Sequence, residues 1–332
     1  MSIVFHGGGV AASVRAYGIA SENWLDLSTG INPVPPALPS FDLQLFHRLP
    51  DADLFDDVRR AAARFYGSGD VLPIAAAGTQ PLIRILAAKV EKGRVAILSP
   101  TYGEYRAVFS AAGLVVDEVS RLSEVTAEHR AVVVVNPNNP DGRRYSRADL
   151  LALSLDLSER GALLIIDEAF GEMHPEASLA GVVAHHPHLV VLKSFGKFFG
   201  FAGARLSFAI AGEEHAATLE AGLGPWPVSG PALALARYCF DLDADALRRQ
   251  IFERAGQLEA VLRGAGLRVA ANAGLFLLVE DARAEALHAH LCRHAILTRI
   301  FDYRRDWMRL GLPADGAGLA RLQTALQNWS GR

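Results

Sequence analysis

The sequence predicts an α/β protein with a large domain, built on a mainly parallel sheet flanked by helices, and a smaller α+β domain. Short runs of aliphatic and β-branched residues end in polar residues, as strands buried on both faces of a sheet do. Segments with helical patterning separate these runs, and such alternation indicates parallel strands. After about residue 230 the pattern changes to a long helical stretch and then to shorter mixed elements.

The predicted elements follow from this patterning in chain order. The strands of the large domain are expected at residues 95–98, 132–135, 163–166, 189–192 and 206–210. The helices between them are expected at 81–90, 102–112 and 146–159. The smaller domain is expected to contain a helix, a strand, a helix, a strand and a helix, at 231–265, 275–279, 282–294, 307–310 and 314–329.

Two stretches rich in glycine or proline, at 32–39 and 222–230, predict the linkers between domains. We therefore expect the large domain at 35–225. The smaller domain is expected at 226–332, together with an N-terminal arm at 1–34. A chain of 332 residues agrees with two domains, since a domain takes roughly 150 residues.

Composition excludes several classes of protein. Apolar residues make up 51% of the chain and charged residues 21%, which excludes disorder. The net charge of −3 gives no electrostatic case for a nucleic-acid or membrane partner. Cys239 and Cys292 fit no metal or redox spacing, and no secretory signal or membrane-spanning run is found. A cytoplasmic protein without a bound metal is the expectation.

Lysine is scarce: only Lys89, Lys92, Lys193 and Lys197 accompany 29 arginines. An amine can deprotonate and attack a carbonyl group, whereas a guanidinium cannot. Lys89 and Lys92 flank a glutamate near a glycine and are typical of a surface turn. Lys193 and Lys197 both follow a predicted strand, so lysine chemistry is expected at one of these two positions.

Polar residues follow the predicted strands, where open α/β sheets bind ligands. Gly78 and Thr79 precede a helix and can form an anion site or a simple helix cap. Asp167 follows a buried strand and requires a partner, which can be a ligand cation or a structural ion pair. The turn at 136–142 contains two Asn-Pro steps and is either a rigid turn alone or a carboxamide donor to a ligand. Lys197, taken alone, can also be a surface lysine.

Together these motifs resemble the fold-type I pyridoxal-phosphate enzymes, the class I/II aminotransferase superfamily. The ordered motifs are Asn-Pro-x-Asn-Pro-x-Gly, Asp-Glu-Ala-Phe, Ser-x-x-Lys and an arginine eight residues after the lysine. The resemblance implies pyridoxal 5'-phosphate as cofactor and a homodimer with its active site near the subunit interface. It places Lys197 as the lysine that forms a Schiff base and Asp167 as the partner of the pyridinium nitrogen.

The resemblance also implies roles for other residues. Asn139 is similar to the donor to the 3-oxygen of the cofactor, and Tyr102 to the aromatic residue that stacks on its ring. The phosphate group corresponds to Gly78, Thr79, Ser194 and Arg205. Arg309 and Asn32 are expected to hold the substrate carboxylate, and His6 and Arg299 are candidates for a substrate phosphate.

Two branches of the superfamily remain open. The N-terminal His-Gly-Gly and the Asp-Glu-Ala-Phe motif resemble the threonine-phosphate decarboxylases of cobalamin biosynthesis, which we favour over the histidinol-phosphate aminotransferases. Phe170 stands where many transaminases have a tyrosine. Leu49 stands where a tyrosine usually reaches the cofactor phosphate across the dimer, so that contact is not expected here.

Three alternatives to an enzyme of this superfamily have some support in the sequence. The N-terminal His-Gly-Gly-Gly resembles an esterase oxyanion loop, but the Gly-x-Ser-x-Gly motif of esterases is missing. Two groups of histidines, at 185–188 and 288–294, have spacings more typical of solvated side chains than of a metal site. A non-catalytic protein that binds the cofactor is the third alternative.

Overall fold

The computed structural model describes residues 7–329 and contains two compact units. The larger unit consists of Pro36–Asn139 and Arg143–Ala244. The smaller unit consists of 7–35, Pro140–Gly142 and 245–329. None of the described helices combines the length and the apolar character that crossing a bilayer requires.

The helices and strands between residues 7 and 329 are numbered in chain order. The helices are α1 (Val10–Tyr17), α2 (Gln44–His47), α3 (Ala52–Tyr66), α4 (Thr79–Lys89), α5 (Glu104–Ala111), α6 (Arg147–Glu159), α7 (Phe195–Phe198), α8 (Glu213–Leu223), α9 (Gly230–Cys239), α10 (Ala244–Gly264), α11 (Ala284–Arg293) and α12 (Gly316–Gln327). The strands are β1 (Leu25–Asp26), β2 (Ile74–Ala76), β3 (Arg94–Leu98), β4 (Val115–Val119), β5 (His129–Val135), β6 (Leu163–Asp167), β7 (Leu189–Ser194), β8 (Ser207–Ala211), β9 (Arg268–Asn272), β10 (Phe276–Glu280), β11 (Ile296–Leu297), β12 (Arg299–Phe301) and β13 (Arg304–Gly311).

The larger unit is built on a seven-stranded sheet in the order β2-β8-β7-β6-β5-β3-β4. Strands β3 to β7 pair in parallel, and β8 is antiparallel to both of its neighbours. This arrangement confirms the predicted α/β class with a mainly parallel sheet. Because parallel strands end at the same edge, the residues that follow β3, β5, β6 and β7 lie along one edge of the sheet.

The core of the larger unit explains why its strands are continuous apolar runs. Alternate strand residues such as Val133, Ile165 and Val190 are buried in one cluster with residues of α4 and α5. The residues between them, such as Val132 and Ile166, are equally buried. Both faces of these strands are thus covered, as in other parallel sheets flanked by helices.

The smaller unit contains an antiparallel sheet in the order β12-β13-β10-β9 and a short parallel pair, β1 and β11. The single long helix predicted at 231–265 is two helices, because α9 ends at Cys239 and α10 begins at Ala244. Asp241, between them, binds Arg237 of α9 at 2.5 Å. Helix α9 packs against α3 and belongs to the larger unit, whereas the sequence predicts residues 226–244 in the smaller domain.

His215 of α8 makes stability sensitive to acid. The side chain is buried, and neither ring nitrogen has a hydrogen-bond partner among the described residues. Burial lowers the pKa of His215 below 6.5, the carboxylate of Glu214 opposes this shift, and His188 adds to it. The unfolded chain therefore binds more protons below about pH 6.5, so the folding stability falls as the pH falls.

We expect His215→Leu to reduce this acid sensitivity. The loss of unfolding free energy, up to about 1.4 kcal/mol per pH unit for one group, should become smaller between pH 7 and pH 5. Thermal unfolding of both proteins across this range measures the difference. If the free energy of unfolding falls equally with pH in both proteins, His215 is not responsible for the acid sensitivity.

Candidate active site

The cofactor residues predicted from the sequence lie on successive elements of the larger unit. Asp167 ends β6, and Ser194 ends β7 directly before the short helix α7, which carries Lys197. The others follow or precede elements of the same sheet: Gly78, Thr79, Tyr102, Asn139 and Arg205. The ends of four parallel strands account for most of this set.

Asp167 is held from two sides. Its side chain is 3% exposed, Tyr105 Oη donates a hydrogen bond to Oδ2 at 2.7 Å, and the Ala169 N–H donates to Oδ1 at 2.9 Å. Burial raises the pKa of Asp167, while these two hydrogen bonds and the charge of Lys197 act to lower it. A buried carboxylate held in this way is suited to accept a further proton donor, such as a protonated ring nitrogen.

Arg205 and Gly78 form an anion cradle at the start of α4. Gly78 has φ +93°, and a Cβ there would lie 2.6 Å from Arg205 Nη2, so the guanidinium needs a glycine at this position. Arg205 has a left-handed φ of 51°, and its Nη1 donates to the carbonyl of Ala202 at 3.3 Å. A guanidinium beside the N–H groups of a helix start suits a phosphate.

Tyr102 is another of the cofactor residues predicted from the sequence. Burial raises the pKa of Tyr102 to about 12, with the charges of Glu104 and Asp167 adding to the shift. Arg205 and a hydrogen bond with Gln80 oppose it. The phenol thus lies within electrostatic range of both Asp167 and Arg205.

Hydrogen bonds fix the turn that carries Asn139. Asn138 Nδ2 donates to the Pro100 carbonyl at 2.8 Å, and Thr101 Oγ1 donates to Asn138 Oδ1 at 2.5 Å. The N–H of Tyr145 donates to Asn136 Oδ1 at 2.9 Å. Asn139 itself is half-buried. The two neighbouring asparagines therefore fix the turn that carries Asn139, the residue that the family resemblance predicts as a ligand donor.

The contacts of three of the four lysines distinguish them. Lys193 Nζ is buried and lies 2.5 Å from Glu168 Oε2. Lys89 pairs with Glu214 at 3.9 Å on the surface. Lys197 is half-buried, its Nζ lies 5.6 Å from the centre of the Phe170 ring, and its charge acts on Asp167. Lys193 is thus committed to an ion pair, and Lys197 is the lysine beside Asp167.

The predicted substrate residues Arg309, Arg299 and Asn32 lie in the smaller unit. Arg309 is 6% exposed, and its Nη2 donates to the Ser28 carbonyl at 2.8 Å. Burial and the neighbouring Arg299 lower the pKa of Arg309 to about 10. Asn32 is buried, and its Oδ1 accepts the Val34 N–H at 3.0 Å. His6 lies outside the described residues.

Sequence patterning missed that Arg299 and Arg309 are direct partners in the β12–β13 pair. Tyr303, in the turn between these strands, was also missed; burial raises its pKa to about 12, and the charges of both arginines oppose this shift. Two like charges placed side by side, one of them buried, are unfavourable unless negative charge nearby offsets them. The charge of Asp302 acts on Arg299 in this way.

The histidine groups show no metal geometry. Among residues 7–329, no group of three or more His, Cys, Asp or Glu side chains is arranged to hold a metal ion. The expectation that these histidines are solvated is wrong for two of them, His186 and His290, which are buried. His186 Nδ1 lies 2.8 Å from Ser154 Oγ, and His290 Nε2 lies 2.8 Å from the Ala325 carbonyl.

Comparison with known proteins identifies the family. The protein-family model described as "Aminotransferase class I and II" matches residues 22–318 of this chain. A threonine-phosphate decarboxylase from a Sinorhizobium species is 48% identical over 324 residues, 97% of each chain. One from Pseudomonas aeruginosa is 42% identical over 326 residues, 97% of this chain and 96% of its own.

Solved structures give the same fold. A histidinol-phosphate aminotransferase from Sinorhizobium meliloti, in complex with pyridoxal-5'-phosphate, matches with a TM-score of 0.81. The match covers 98% of this chain and 94% of that chain, at 22% identity, and so shows the fold alone. The family match and the two relatives carry the assignment further: the chain belongs to the aminotransferase class I and II family.

Proposed function

We propose that this chain is a pyridoxal-phosphate-dependent carboxy-lyase. Its substrate is L-threonine O-3-phosphate and its products are carbon dioxide and (R)-1-amino-2-propanol O-2-phosphate, a step of cobalamin biosynthesis. The observation that carries this proposal is the 48% and 42% identity, over nearly the whole chain, to threonine-phosphate decarboxylases. A histidinol-phosphate aminotransferase is the second candidate, but relatives of that name are less similar, at 27% identity over 86% of this chain or 35% identity over 48% of it.

The residues present fit pyridoxal 5'-phosphate. The cradle of Gly78 and Arg205 at the start of α4, with Thr79 and Ser194, would hold the phosphate. Asp167 would hold the proton on the ring nitrogen, since it is a buried carboxylate fixed by Tyr105 and Ala169.

Three further side chains would complete the cofactor site: Tyr102, Asn139 and Lys197. The ring of Tyr102 would stack on the cofactor, and the carboxamide of Asn139 would reach the 3-oxygen. When bound, the cofactor supplies an aldehyde for the lysine amine and a ring that withdraws electrons from the substrate Cα.

The remaining steps belong to the protein's own side chains. Lys197 would hold the cofactor covalently, and its amine, when free and carrying a proton taken from the substrate ammonium, would return a proton to Cα after carbon dioxide leaves. Arg309 and Asn32 would bind the substrate carboxylate, and Arg299 and His6 the substrate phosphate. For decarboxylation, Arg309 would fix the carboxylate in the orientation in which the bond between Cα and the carboxyl carbon is the one that breaks.

We also infer that the protein acts as a homodimer in the cytoplasm. Four large apolar side chains in 38–49 are about two-thirds exposed: Leu38, Leu43, Phe46 and Leu49. Exposed apolar residues concentrated in one short segment mark an interface, and a second copy of the chain is its proposed occupant. Leu49 would contribute only apolar contact there.

Light scattering of the purified protein tests whether it is a homodimer, and a monomer at micromolar concentration would contradict the proposal.

An activity comparison tests the proposed reaction. The purified protein is incubated with threonine phosphate and, separately, with histidinol phosphate plus 2-oxoglutarate. We expect carbon dioxide to form in the first reaction and no glutamate in the second. Formation of glutamate without release of carbon dioxide would establish the aminotransferase instead.

Arg309→Lys tests carboxylate recognition. A lysine cannot reproduce the bidentate contact of a guanidinium, so we expect KM for threonine phosphate to rise at least ~30-fold. Inhibition by aminopropanol phosphate, which lacks the carboxylate, should change little. Arg305→Lys, on the same strand but exposed, is the matched control. An unchanged KM would remove Arg309 from the carboxylate site.

A further inference from the structure

A buried charged cluster lies directly behind the cofactor residues and takes no part in the proposed chemistry. Lys193 Nζ is 2.5 Å from Glu168 Oε2 and 3.8 Å from Glu172 Oε1. All three side chains are at most 5% exposed, and Lys193 also lies 5.2 Å from the centre of the Tyr66 ring. Burying charges in this way is costly, so a pairing of this kind often has a purpose beyond stability.

The cluster joins the ends of the two strands that carry the reactive residues. Asp167 of β6 pairs with Leu192 of β7, and the Glu168 N–H donates to the Leu192 carbonyl at 2.8 Å. Glu168 therefore follows Asp167, just as Lys193 precedes Ser194 and is four residues before Lys197. The ion pair joins the two residues that come directly after the last registered pair of β6 and β7, Asp167 and Leu192.

Glu168 is also anchored on its other side. Ser178 Oγ donates to Glu168 Oε2 at 2.6 Å, and the Leu179 N–H donates to Oε1 at 2.9 Å. A Cβ at Gly171 would lie 2.8 Å from the Glu168 Cβ and 3.3 Å from Lys193 Nζ. The backbone after Asp167 is thus tightly enclosed, and it includes the Ala169 N–H that donates to Asp167 Oδ1.

We propose that Lys193 is a positioning residue: by fixing Glu168, it holds the Ala169 N–H on Asp167 and keeps that carboxylate aimed at the cofactor ring. This inference rests on the proposed cofactor site. Removing Lys193 alone leaves Glu168 as a buried carboxylate without its countercharge, which must move or take up a proton. Either change disturbs the turn at 167–169. Removing both charges of the Lys193–Glu168 pair leaves no unpaired carboxylate at position 168, and Glu172, 3.8 Å from Lys193, is the same in the single and the double variant.

The test measures how tightly each purified, cofactor-depleted protein binds added pyridoxal 5'-phosphate, and it records the absorbance spectrum of the bound form. For Lys193→Met we expect roughly tenfold weaker binding, equivalent to the loss of one charge-assisted hydrogen bond, and an altered spectrum. The double variant Glu168→Gln/Lys193→Met should recover most of the affinity and the wild-type spectrum. The matched control is Arg94→Met, which removes a cation paired with the two carboxylates of Asp117 and Glu128 at the other end of the sheet. It should bind as wild type does.

Several outcomes would overturn the inference. Wild-type affinity and spectrum in Lys193→Met would do so, and so would an equal loss in Arg94→Met, since the effect would then be general destabilisation. If Lys193→Met does not fold, the folded double variant decides: weak binding there contradicts the inference, and near-wild-type binding supports it. Failure of the wild-type protein itself to bind the cofactor would instead contradict the proposed function.

Discussion

Lys197→Ala is expected to lower decarboxylation by about 10³-fold or more, because it removes both the covalent anchor of the cofactor and the proposed proton donor to Cα. The structure favours this lysine over its one rival. The amine of Lys193 is committed to Glu168 at 2.5 Å, and its pKa is raised by the two neighbouring glutamates against the effect of burial. A protonated amine cannot attack an aldehyde.

Borohydride reduction followed by peptide mapping measures this directly. In the wild-type protein the reduced cofactor should be found on the peptide that contains Lys197. In Lys197→Ala the label should disappear from that peptide, and in Lys193→Met it should remain on Lys197. A cofactor label on Lys193 in the wild-type protein would contradict the assignment and would make the buried ion pair a resting state of the nucleophile.

The parts of the fold that the sequence predicted are those where burial on both faces leaves a continuous apolar run. Strands β5, β6 and β7 are of this kind. Strand β4 was missed because it lies at the sheet edge, contains two acidic residues, and begins with the exposed Val115. Strand β2 was missed because three residues, two of them alanine, carry little strand signal.

The candidate site likewise has a part that the sequence predicts and a part that it does not. Motif order along the chain predicted Asp167 and Lys197, since strand ends converge in any parallel sheet. It could not predict Tyr105 as the donor to Asp167, because that contact joins residues 62 positions apart. Nor could it predict the pairing of Arg299 with Arg309, which depends on the register of two strands and on the irregularity between Ile300 and Phe301.

Asp167→Asn is expected to lower activity by about 10²- to 10³-fold, the range seen when one preorganised electrostatic contact at the site of charge development is lost. An amide cannot hold the proton on the ring nitrogen as a carboxylate does, so the ring withdraws electrons less strongly. The proposed covalent contact with Lys197 would not depend on this charge. Cofactor should therefore still be reducible onto Lys197 in the variant, and kcat should fall more than KM rises.

Tyr105→Phe tests the same carboxylate with a smaller change. It removes the 2.7 Å hydrogen bond to Asp167 but leaves the carboxylate and its Ala169 contact. Because that hydrogen bond acts to lower the pKa of Asp167, its loss raises the pKa further in the direction that burial already drives it. As the pH is lowered, activity should therefore begin to decline at a higher pH in the variant than in the wild type. If activity declines at the same acid pH in Tyr105→Phe and in the wild type, the reaction does not use this carboxylate. A wild-type kcat in Asp167→Asn would lead to the same conclusion.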